Sequence, residues 1–403
     1  MKLINFKIFY LTIFNAIILL GVGGCLSASN SSNNSTIQPT TNQTSQLSQT
    51  QQKFKQVTVT EGLERPWGMD WLPNGDLLVT ERPGRLRIVK NGKLEPQPIQ
   101  GVPAVLAVGQ GGLLDVAVHS DFSENGYIYL TYSSGTRNNN QTRIARATLE
   151  ENQLRDVKVI FEVSPMKRGG QHFGSRLLWL NDGTLLASIG DGGNPPVKIN
   201  GELIRKQAQK LDSHLGKIIR INDDGSIPDD NPFLDQENAN PAVWSYGHRN
   251  IQGLTMDKKT GQIWSTEHGS RGGDELNRIV AGENYGWPVV THSREYTGGE
   301  ISDKRSLPGM VDPLVVWTPA IAPSGLTFYD GDKFINWKGD LFAGGLVARE
   351  VIRIDLNDAG EIVEKYPIKF EQRVRDIKQS PDGFIYVLTD DNNGKLIRLE
   401  PVE

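Results

Sequence analysis

Short apolar runs alternate with polar, glycine-containing turns along the chain from Val57 onward. The glycine often stands beside Asn or Asp, and the runs hold β-branched, aromatic and aliphatic residues, which is the composition of hairpins whose strands fill a buried sheet. The pattern occurs six times, with apolar runs at 77–80, 127–131, 185–188, 263–266, 341–343 and 384–388. It predicts a protein built mainly of β-strands, with 203–211 as the best candidate for a short helix.

The spacing of the six copies predicts how the strands are organised. Successive copies lie about 40 to 80 residues apart, which suits one four-stranded blade plus its loops. A further strand follows several copies, as at 85–89, 351–354 and 395–399. We therefore predict an all-β fold, a six-bladed β-propeller with long loops over one face, in which 195–235 and 284–312 are surface loops. A pair of β-sandwiches or another all-β stack is the alternative.

The N-terminus differs from the rest of the chain. Lys2 and Lys7 precede an apolar run at 8–20, and small residues then lead to Cys25, the single cysteine. This order predicts a signal peptide over 1–25, and its end resembles the box in which bacterial lipoproteins are lipidated on cysteine. An ordinary signal sequence with an incidental cysteine is the alternative.

The next segment, 26–52, is mostly Ser, Thr, Asn and Gln, and this composition predicts a disordered tether. The domain proper is then 53–403, and we expect it to be exported and lipid-anchored at Cys25 in the bacterial cell envelope, on the periplasmic or extracellular face. With 37% hydrophobic residues, and 43 basic against 47 acidic residues spread along the sequence, the composition is that of a globular domain. No basic block suits nucleic acid, which we exclude as a partner.

Five polar segments carry groups that the sheets of a propeller do not need, at 109–115, 169–176, 244–250, 265–277 and 372–376. Gln110 in the first offers an amide donor and acceptor, although an exposed turn would explain it equally well. His172 in the second is a candidate general base, because imidazole accepts a proton near neutral pH. A histidine that only bridges a loop is the alternative.

Two of these segments suggest charged ligands. Segment 265–277 combines oxygen donors with glycines, which suits Ca²⁺ but lacks the spacing of an EF-hand, and a solvated loop remains the alternative. Arg373 and Arg375 would point to one side of an extended strand, where two guanidinium groups repel unless an anion compensates them. They suggest a carboxylate-rich cofactor, unless neighbouring Asp or Glu residues neutralise them.

At these segments the sequence resembles the glucose and sorbosone dehydrogenase family, soluble aldose sugar dehydrogenases that carry pyrroloquinoline quinone on a six-bladed propeller. The resemblance runs from about residue 57 to residue 399. It rests on five ordered blocks, RPWGM at 65–69, YGHRN at 246–250, EHG at 267–269 with GDELN at 273–277, NYGWP at 284–288 and IAPSG at 321–325.

The resemblance implies oxidation of an aldose sugar to its lactone, with hydride passing to the quinone and His172 as general base. It implies that the quinone is held by Gln110, Arg249, Asn250, Tyr296, Ala322, Arg373 and Arg375. It further implies a Ca²⁺ bound by the carbonyls of Gly269 and Ser270, and a second site near Glu275 and the carbonyl of Tyr285. The metal would act as a Lewis acid on the quinone. The electron acceptor that reoxidises the cofactor is not identified by the sequence.

The chain departs from the family pattern at two positions. Ser270 stands where relatives commonly have proline, and Val347 stands about where the family has a lysine that helps to hold the cofactor. Arg349 would replace that lysine if both positions faced one side of a strand; otherwise affinity for the quinone would fall. A calcium-dependent lactonase or esterase, and a non-catalytic sugar-binding propeller that has lost the cofactor, remain the alternative functions.

Overall fold

The computed structural model describes residues 52–357 and 359–402. The predicted signal peptide, the lipidated Cys25 and the tether up to residue 51 lie outside the described residues, so these assignments stay predictions. In the described part of the chain, no helix is both long and apolar enough to span a bilayer.

Six four-stranded antiparallel sheets follow one another along the described chain. Strand β1 (Phe54–Leu63) precedes the first sheet, which contains β2 (Pro66–Trp71), β3 (Leu77–Glu81), β4 (Arg85–Lys90) and β5 (Lys93–Leu94). The second contains β6 (Leu113–Val118), helix α1 (Phe122–Asn125) in a connection, β7 (Tyr127–Thr136), β8 (Asn139–Glu150) and β9 (Gln153–Glu162). The third contains β10 (Leu177–Trp179) and β11 (Leu185–Ile189), then a separate ribbon of β12 (Lys198–Ile199) and β13 (Glu202–Leu203), a 3₁₀ helix (Ile204–Gln209), β14 (Lys217–Ile221) and β15 (Val243–Tyr246).

The last three sheets complete the series. The fourth contains β16 (Ile251–Met256), β17 (Ile263–Glu267), β18 (Asp274–Ile279) and β19 (Val315–Trp317). The fifth contains β20 (Pro323–Phe328), a short 3₁₀ helix (Ile335–Trp337), β21 (Leu341–Gly345), β22 (Glu350–Leu356) and β23 (Ile362–Lys369). The sixth contains β24 (Val374–Gln379), β25 (Ile385–Thr389) and β26 (Gly394–Pro401), with β1 as its fourth strand.

The N-terminal strand closes the ring of sheets. β1 pairs with β26, from Phe54 opposite Pro401 to Leu63 opposite Gly394, and so forms the outer edge of the sixth sheet. The innermost strands β2, β6, β10, β16, β20 and β24 contact one another in this order, and β24 contacts β2. The prediction of a six-bladed β-propeller is therefore confirmed, and the sandwich alternative is wrong.

The six apolar runs of the sequence form the second strand of each blade, namely β3, β7, β11, β17, β21 and β25. Neighbouring blades cover these strands on both faces, and all five residues of β3, β11, β17 and β21 are buried. The hydrophobic core lies between the blades, as in the cluster that joins Leu86 of β4 to Leu130 of β7. A strand buried on both faces is mostly apolar, which is why local composition reveals it, although β3 and β17 each end in a buried glutamate, Glu81 and Glu267.

The prediction that 195–235 is a surface loop is wrong in part. This segment contains β14, the third strand of its blade, as well as the ribbon β12–β13 and the 3₁₀ helix found where 203–211 predicts a helix. Lys217 opens β14 and is fully buried, with Nζ donating to three main-chain carbonyls at 2.8 to 2.9 Å. The acceptors are Gln207 and Ala208 of the preceding 3₁₀ helix and Leu215, so the pattern of β14 alone does not show that a lysine can be buried there. Segment 284–312 contains no strand, as predicted.

A buried ion-pair cluster lies where the inner strands meet. The Arg176 guanidinium is 3.1 Å from Asp115 on β6 and 3.1 Å from Asp376 on β24, and it stacks 4.4 Å from the centre of the Trp67 ring on β2. Its Nε also donates to a carbonyl of β16, that of Gln252, at 2.9 Å. One buried side chain thus contacts strands from four blades where the inner strands meet.

Candidate active site

Two kinds of loop meet at one mouth of the central channel. In an antiparallel blade, successive connections alternate between the two faces, so the loop from the second to the third strand lies on the same face as the connection to the next blade. The connections between blades carry the predicted site residues Gln110, His172, Arg249, Asn250, Ala322 and Arg373. The loops between second and third strands carry Arg82, Asp191, Asn194 and Asp390, which were not predicted. The topology therefore brings residues from distant parts of the sequence to one face.

A cavity of about 150 Å³ opens at this face. Four of the predicted cofactor residues, Gln110, Ala322, Arg373 and Arg375, line its wall, and Trp67 gives it an apolar surface. Polar groups on several sides of a small concavity are the usual arrangement of a ligand site. These four residues therefore share one cavity, which Arg249, Asn250 and Tyr296 do not line, and the contacts of all seven with a ligand stay a prediction.

His172 is held at both its main chain and its ring. It is 2% exposed, its N–H donates to Gln110 Oε1 at 2.7 Å, and its Nδ1 lies 2.6 Å from Asp191 Oδ1. Its φ of 49° is in the left-handed region, a strained conformation for a residue with a side chain. A carboxylate at Nδ1 favours the tautomer that carries its proton there and leaves the lone pair on Nε2.

The Asp191 carboxylate accepts two further hydrogen bonds. Oδ1 accepts the Gly193 N–H at 3.0 Å, and Oδ2 accepts the indole N–H of Trp287 at 2.8 Å. Burial by itself would raise the pKa of Asp191, but His172 and Arg249 lower it below the ordinary value. Burial, and then Arg249, lower the pKa of His172. At neutral pH the pair is therefore an ionised carboxylate and a neutral imidazole, which is the form that a general base requires.

The Nε2 side of His172 faces Asn194. The amide nitrogen of Asn194 is 3.4 Å from Nε2, and its oxygen accepts from Arg249 Nη2 at 2.8 Å. The other terminal nitrogen of Arg249 donates to the His268 carbonyl at 2.8 Å. Asn194 thus occupies the position at Nε2 where a substrate hydroxyl would have to bind.

One wall of the cavity carries an excess of positive charge. Arg373 Nε and Arg375 Nη2 each lie 3.2 Å from Asp390 Oδ2, so two arginines share a single carboxylate oxygen. Arg82 lines the same cavity and donates to the carbonyls of Gly109 and Gly111. The neutralisation of the arginine pair considered from the sequence is therefore only partial, and three guanidinium groups face one aspartate.

A second, smaller cavity contains the predicted calcium residues. Glu267 and Glu275 face each other across β17 and β18, and both are buried. Burial raises the pKa of both carboxyls, and repulsion by Glu267 raises that of Glu275 further. With Gly269 and Tyr285 they line a space of about 10 Å³, close to that of a single water molecule, whereas Ser270 does not line it.

The donor set at this small cavity fits a hard cation only with help from the main chain. In residues 52–357 and 359–402, no group of three or more His, Cys, Asp or Glu side chains is placed to hold one metal ion. Two opposed carboxylates would still be stabilised by a cation between them, and Ca²⁺ accepts carbonyl and carboxylate oxygens alike. Calcium binding here therefore stays a prediction, one that the chemistry of the donors suits.

Two expectations are not met by the positions of the side chains. Tyr296 is 59% exposed and does not line the cavity. β21 ends at Gly345, and the turn that follows leaves Val347 63% exposed and directs Arg349 Nη1 towards the Glu371 carbonyl at 3.4 Å. Because the segment is a turn and not a strand, Arg349 does not replace the missing lysine.

Sequence reasoning missed Asp191, Arg82 and Asp390. Asp191 lies in the motif GDGG at 190–193, directly after an apolar run, and a carboxylate at the end of a buried strand is a signal that could have been used. Arg82 and Asp390 follow the second strands of their own blades in the same way. Once the propeller is predicted, polar residues at the ends of all six second strands become candidates, because these ends share one face.

The fold and the site together define a class of protein. The propeller holds a cationic cavity at one mouth of its channel and, beside it, a buried His–Asp pair poised to accept a proton. This combination suits proton transfer next to a bound anionic cofactor.

The chain belongs to the glucose/sorbosone dehydrogenase family, whose model matches residues 63–398. It is 38% identical to aldose sugar dehydrogenase YliI of Escherichia coli, over 84% of this chain and 91% of that protein. The crystal structure of the soluble aldose sugar dehydrogenase from Escherichia coli in the apo form covers 87% of this chain and 100% of its own, with a TM-score of 0.81 and 36% identity. The structure of the PQQ-bound aldose sugar dehydrogenase from Streptomyces coelicolor gives a TM-score of 0.70 and 29% identity, covering 86% of this chain and 98% of its own. The prediction of a dehydrogenase is confirmed.

Proposed function

We propose that the protein is a quinoprotein that oxidises aldose sugars at the anomeric carbon to lactones. The observation that carries the proposal is the neutral His172, held by Asp191, beside a cavity with surplus positive charge. Membership of the family and the PQQ-bound relative support the choice of cofactor. The sugar that is preferred is left open.

The residues at the cavity fit pyrroloquinoline quinone, which is an anion with several carboxylate groups and quinone oxygens. Arg373 and Arg375 would bind a carboxylate, because Asp390 neutralises only part of their charge. The Nε of Arg375 is buried and has no hydrogen-bond partner among the described residues. Gln110 offers an amide from the connection before β6. When bound, the quinone supplies the acceptor for the hydride that leaves the sugar.

Within this proposal, His172 removes the proton of the anomeric hydroxyl through Nε2. The hydroxyl takes the place of the Asn194 amide, so that the O–H points at the lone pair of the imidazole. Asp191 holds the Nδ1 proton and stabilises the imidazolium that forms. As the proton leaves oxygen and hydride leaves the same carbon, the C–O bond becomes the carbonyl of the lactone, and the sugar loses two electrons in total.

We further propose that Ca²⁺ binds near the carbonyls of Gly269 and Ser270, with a second ion near Glu275 and the carbonyl of Tyr285. The ion at the active site would supply a Lewis acid that polarises the acceptor carbonyl. The opposed Glu267 and Glu275 carboxylates support the second position, since a bound cation would relieve their repulsion.

We also propose that the protein is exported and lipid-anchored at Cys25, on the strength of the charged, apolar and small-residue order of the N-terminus. A calcium-dependent lactonase or esterase would have no use for Arg373 and Arg375 in the cavity wall. The proposed partners are an aldose and an electron acceptor that is still unidentified.

The proposal is tested by aldose-dependent reduction of a redox dye by the purified protein, with Ca²⁺ and with or without the quinone. His172→Asn should lower kcat about 10²- to 10⁴-fold, because asparagine cannot take up the proton. His119→Asn is the matched control, since His119 lies at the opposite mouth of the channel, and it should keep full activity. If the wild-type protein neither reduces the dye nor changes the quinone spectrum on titration, the proposal is wrong.

A further inference from the structure

The segment that carries a lysine in the family supplies no cation to the cavity in this chain. Val347 is 63% exposed, and Arg349 is directed towards the carbonyl of Glu371 in the turn after β21. From that turn only the apolar Leu346 lines the cavity. If the cavity binds an anion, the missing positive charge has to come from another blade.

Arg82 reaches the cavity from the loop between β3 and β4. Its Nη2 donates to the Gly109 carbonyl, and its Nε lies 3.4 Å from the Gly111 carbonyl, on either side of Gln110. A guanidinium carries five N–H donors, so these two contacts leave donors free to face the cavity. The side chain is therefore held in place by main-chain groups, with donor capacity to spare.

In the part of the chain that the structure describes, no carboxylate forms an ion pair with Arg82. Among the described residues, Asp390 is the acidic side chain of the cavity wall, and its Oδ2 is already shared by Arg373 and Arg375. Burial, and then repulsion by Arg375, lower the pKa of Arg82 to about 10, and the attraction of Asp390 offsets these effects only in part. The guanidinium is still charged at neutral pH, and among the described residues its charge is compensated only in part, by the Asp390 carboxylate that Arg373 and Arg375 also share.

We infer that Arg82 is a cofactor-binding residue, which supplies the third guanidinium for a carboxylate of the quinone and replaces the lysine that is absent at Val347. The inference rests on the proposed function, because it assumes that the cavity takes an anionic quinone. Three arginines around one aspartate leave two positive charges for the ligand. Their mutual repulsion is a cost in the empty cavity that an anionic ligand removes on binding.

A purely structural role makes a different prediction. If Arg82 served only to hold the loop at 109–111, its removal would misplace Gln110 and weaken every ligand of the cavity, charged or neutral. If Arg82 binds a carboxylate, its removal weakens only ligands that carry the negative charge. Comparison of pyrroloquinoline quinone with its uncharged trimethyl ester separates the two roles.

The experiment measures equilibrium binding of both compounds to the purified protein by quenching of tryptophan fluorescence, since Trp67 lines the same cavity. Arg82→Gln should raise the Kd for the quinone about 10- to 100-fold, the value of a hydrogen bond to a charged group, and leave the Kd for the ester unchanged. Arg82→Lys keeps the charge and should bind the quinone better than Arg82→Gln. Arg349→Gln, which removes the same charge outside the cavity, is the matched control and should alter neither Kd.

Each outcome decides the inference. An Arg82→Gln protein that binds the quinone as tightly as the wild type overturns it, and so does one that loses affinity for quinone and ester by the same factor. If Arg82→Gln does not fold, as judged by thermal denaturation, Arg82→Lys must bind the quinone close to the wild-type affinity, and a large loss overturns the inference. Wild-type protein that binds no quinone at all contradicts the proposed function itself, and the role of Arg82 with it.

Discussion

Replacement of Asp191 by asparagine tests how the proton on His172 is placed. One oxygen of Asp191 accepts from His172 Nδ1 and from the Gly193 N–H, and the other accepts from the indole of Trp287. Asparagine keeps the shape but has one oxygen and one NH₂ group. In either orientation of the amide, its NH₂ group lies against an N–H donor that the carboxylate accepted before. In one of the two orientations His172 also has to change its tautomer.

The two orientations have different costs. With the NH₂ towards His172, it also opposes the Gly193 N–H, Nδ1 becomes the acceptor, and the ring proton moves to Nε2, where it blocks abstraction of the substrate proton. In Ser-His-Asp enzymes the equivalent change costs about 10⁴ in kcat. With the NH₂ towards Trp287, the tautomer is kept but two donors oppose each other, at about 1 to 3 kcal/mol of stability. We expect Asp191→Asn to lower kcat about 10²- to 10⁴-fold and to lower the melting temperature.

Steady-state dye reduction with saturating quinone and thermal denaturation are the assays. Trp287→Phe removes the opposing indole donor, so the asparagine oxygen can stay on His172 when both changes are combined. The double variant Asp191→Asn/Trp287→Phe should therefore exceed Asp191→Asn in kcat, a coupling that a double-mutant cycle measures. An Asp191→Asn enzyme with the wild-type kcat would refute the reasoning, and a double variant with no gain would refute the assignment of the amide orientation.

Two predictions concern stability. Burial lowers the pKa of His214 to about 4, so below pH 6.5 the unfolded chain takes up a proton that the folded chain does not. This proton uptake lowers the free energy of unfolding, an effect that is absent above pH 6.5 and complete near pH 4. His214→Asn keeps an acceptor for the Ser164 N–H. On going from pH 7 to pH 5, the unfolding free energy of this variant should rise by about 2 kcal/mol relative to that of the wild type, as measured by urea unfolding at both pH values. An equal loss of stability in both proteins would contradict the prediction. Excess Ca²⁺ should raise the melting temperature of the wild-type protein above its value in chelator, and Glu275→Gln should abolish this increase. Equal shifts in both proteins would show that Glu275 does not hold the ion.

Local pattern was sufficient for the fold but only partly sufficient for the site. The second strands are mostly buried and mostly apolar, so each can be recognised without knowledge of its partner strands. β14 was missed inside a segment interpreted as a loop; its first residue, Lys217, is buried because three carbonyls within the preceding ten residues accept hydrogen bonds from its Nζ. His172, Arg373 and Arg375 stood out as polar groups that no strand required. Asp191 did not, since one aspartate after a strand is ordinary until the histidine it contacts is known.

The sequence by itself determined the number of blades and the approximate location of the site, because each hairpin turn and each buried strand is specified by a few consecutive residues. Only the tertiary structure decided which polar groups meet. Closure of the ring brings Trp287 to Asp191, 96 residues earlier in the chain, and places Arg82 on the same cavity as Arg373 and Arg375. The turn after β21 directs Arg349 towards the Glu371 carbonyl, so the condition that Val347 and Arg349 share one side of a strand is not met. The apolar composition of a strand follows from the burial of that strand alone. The charge balance in the cavity depends on residues that different blades contribute.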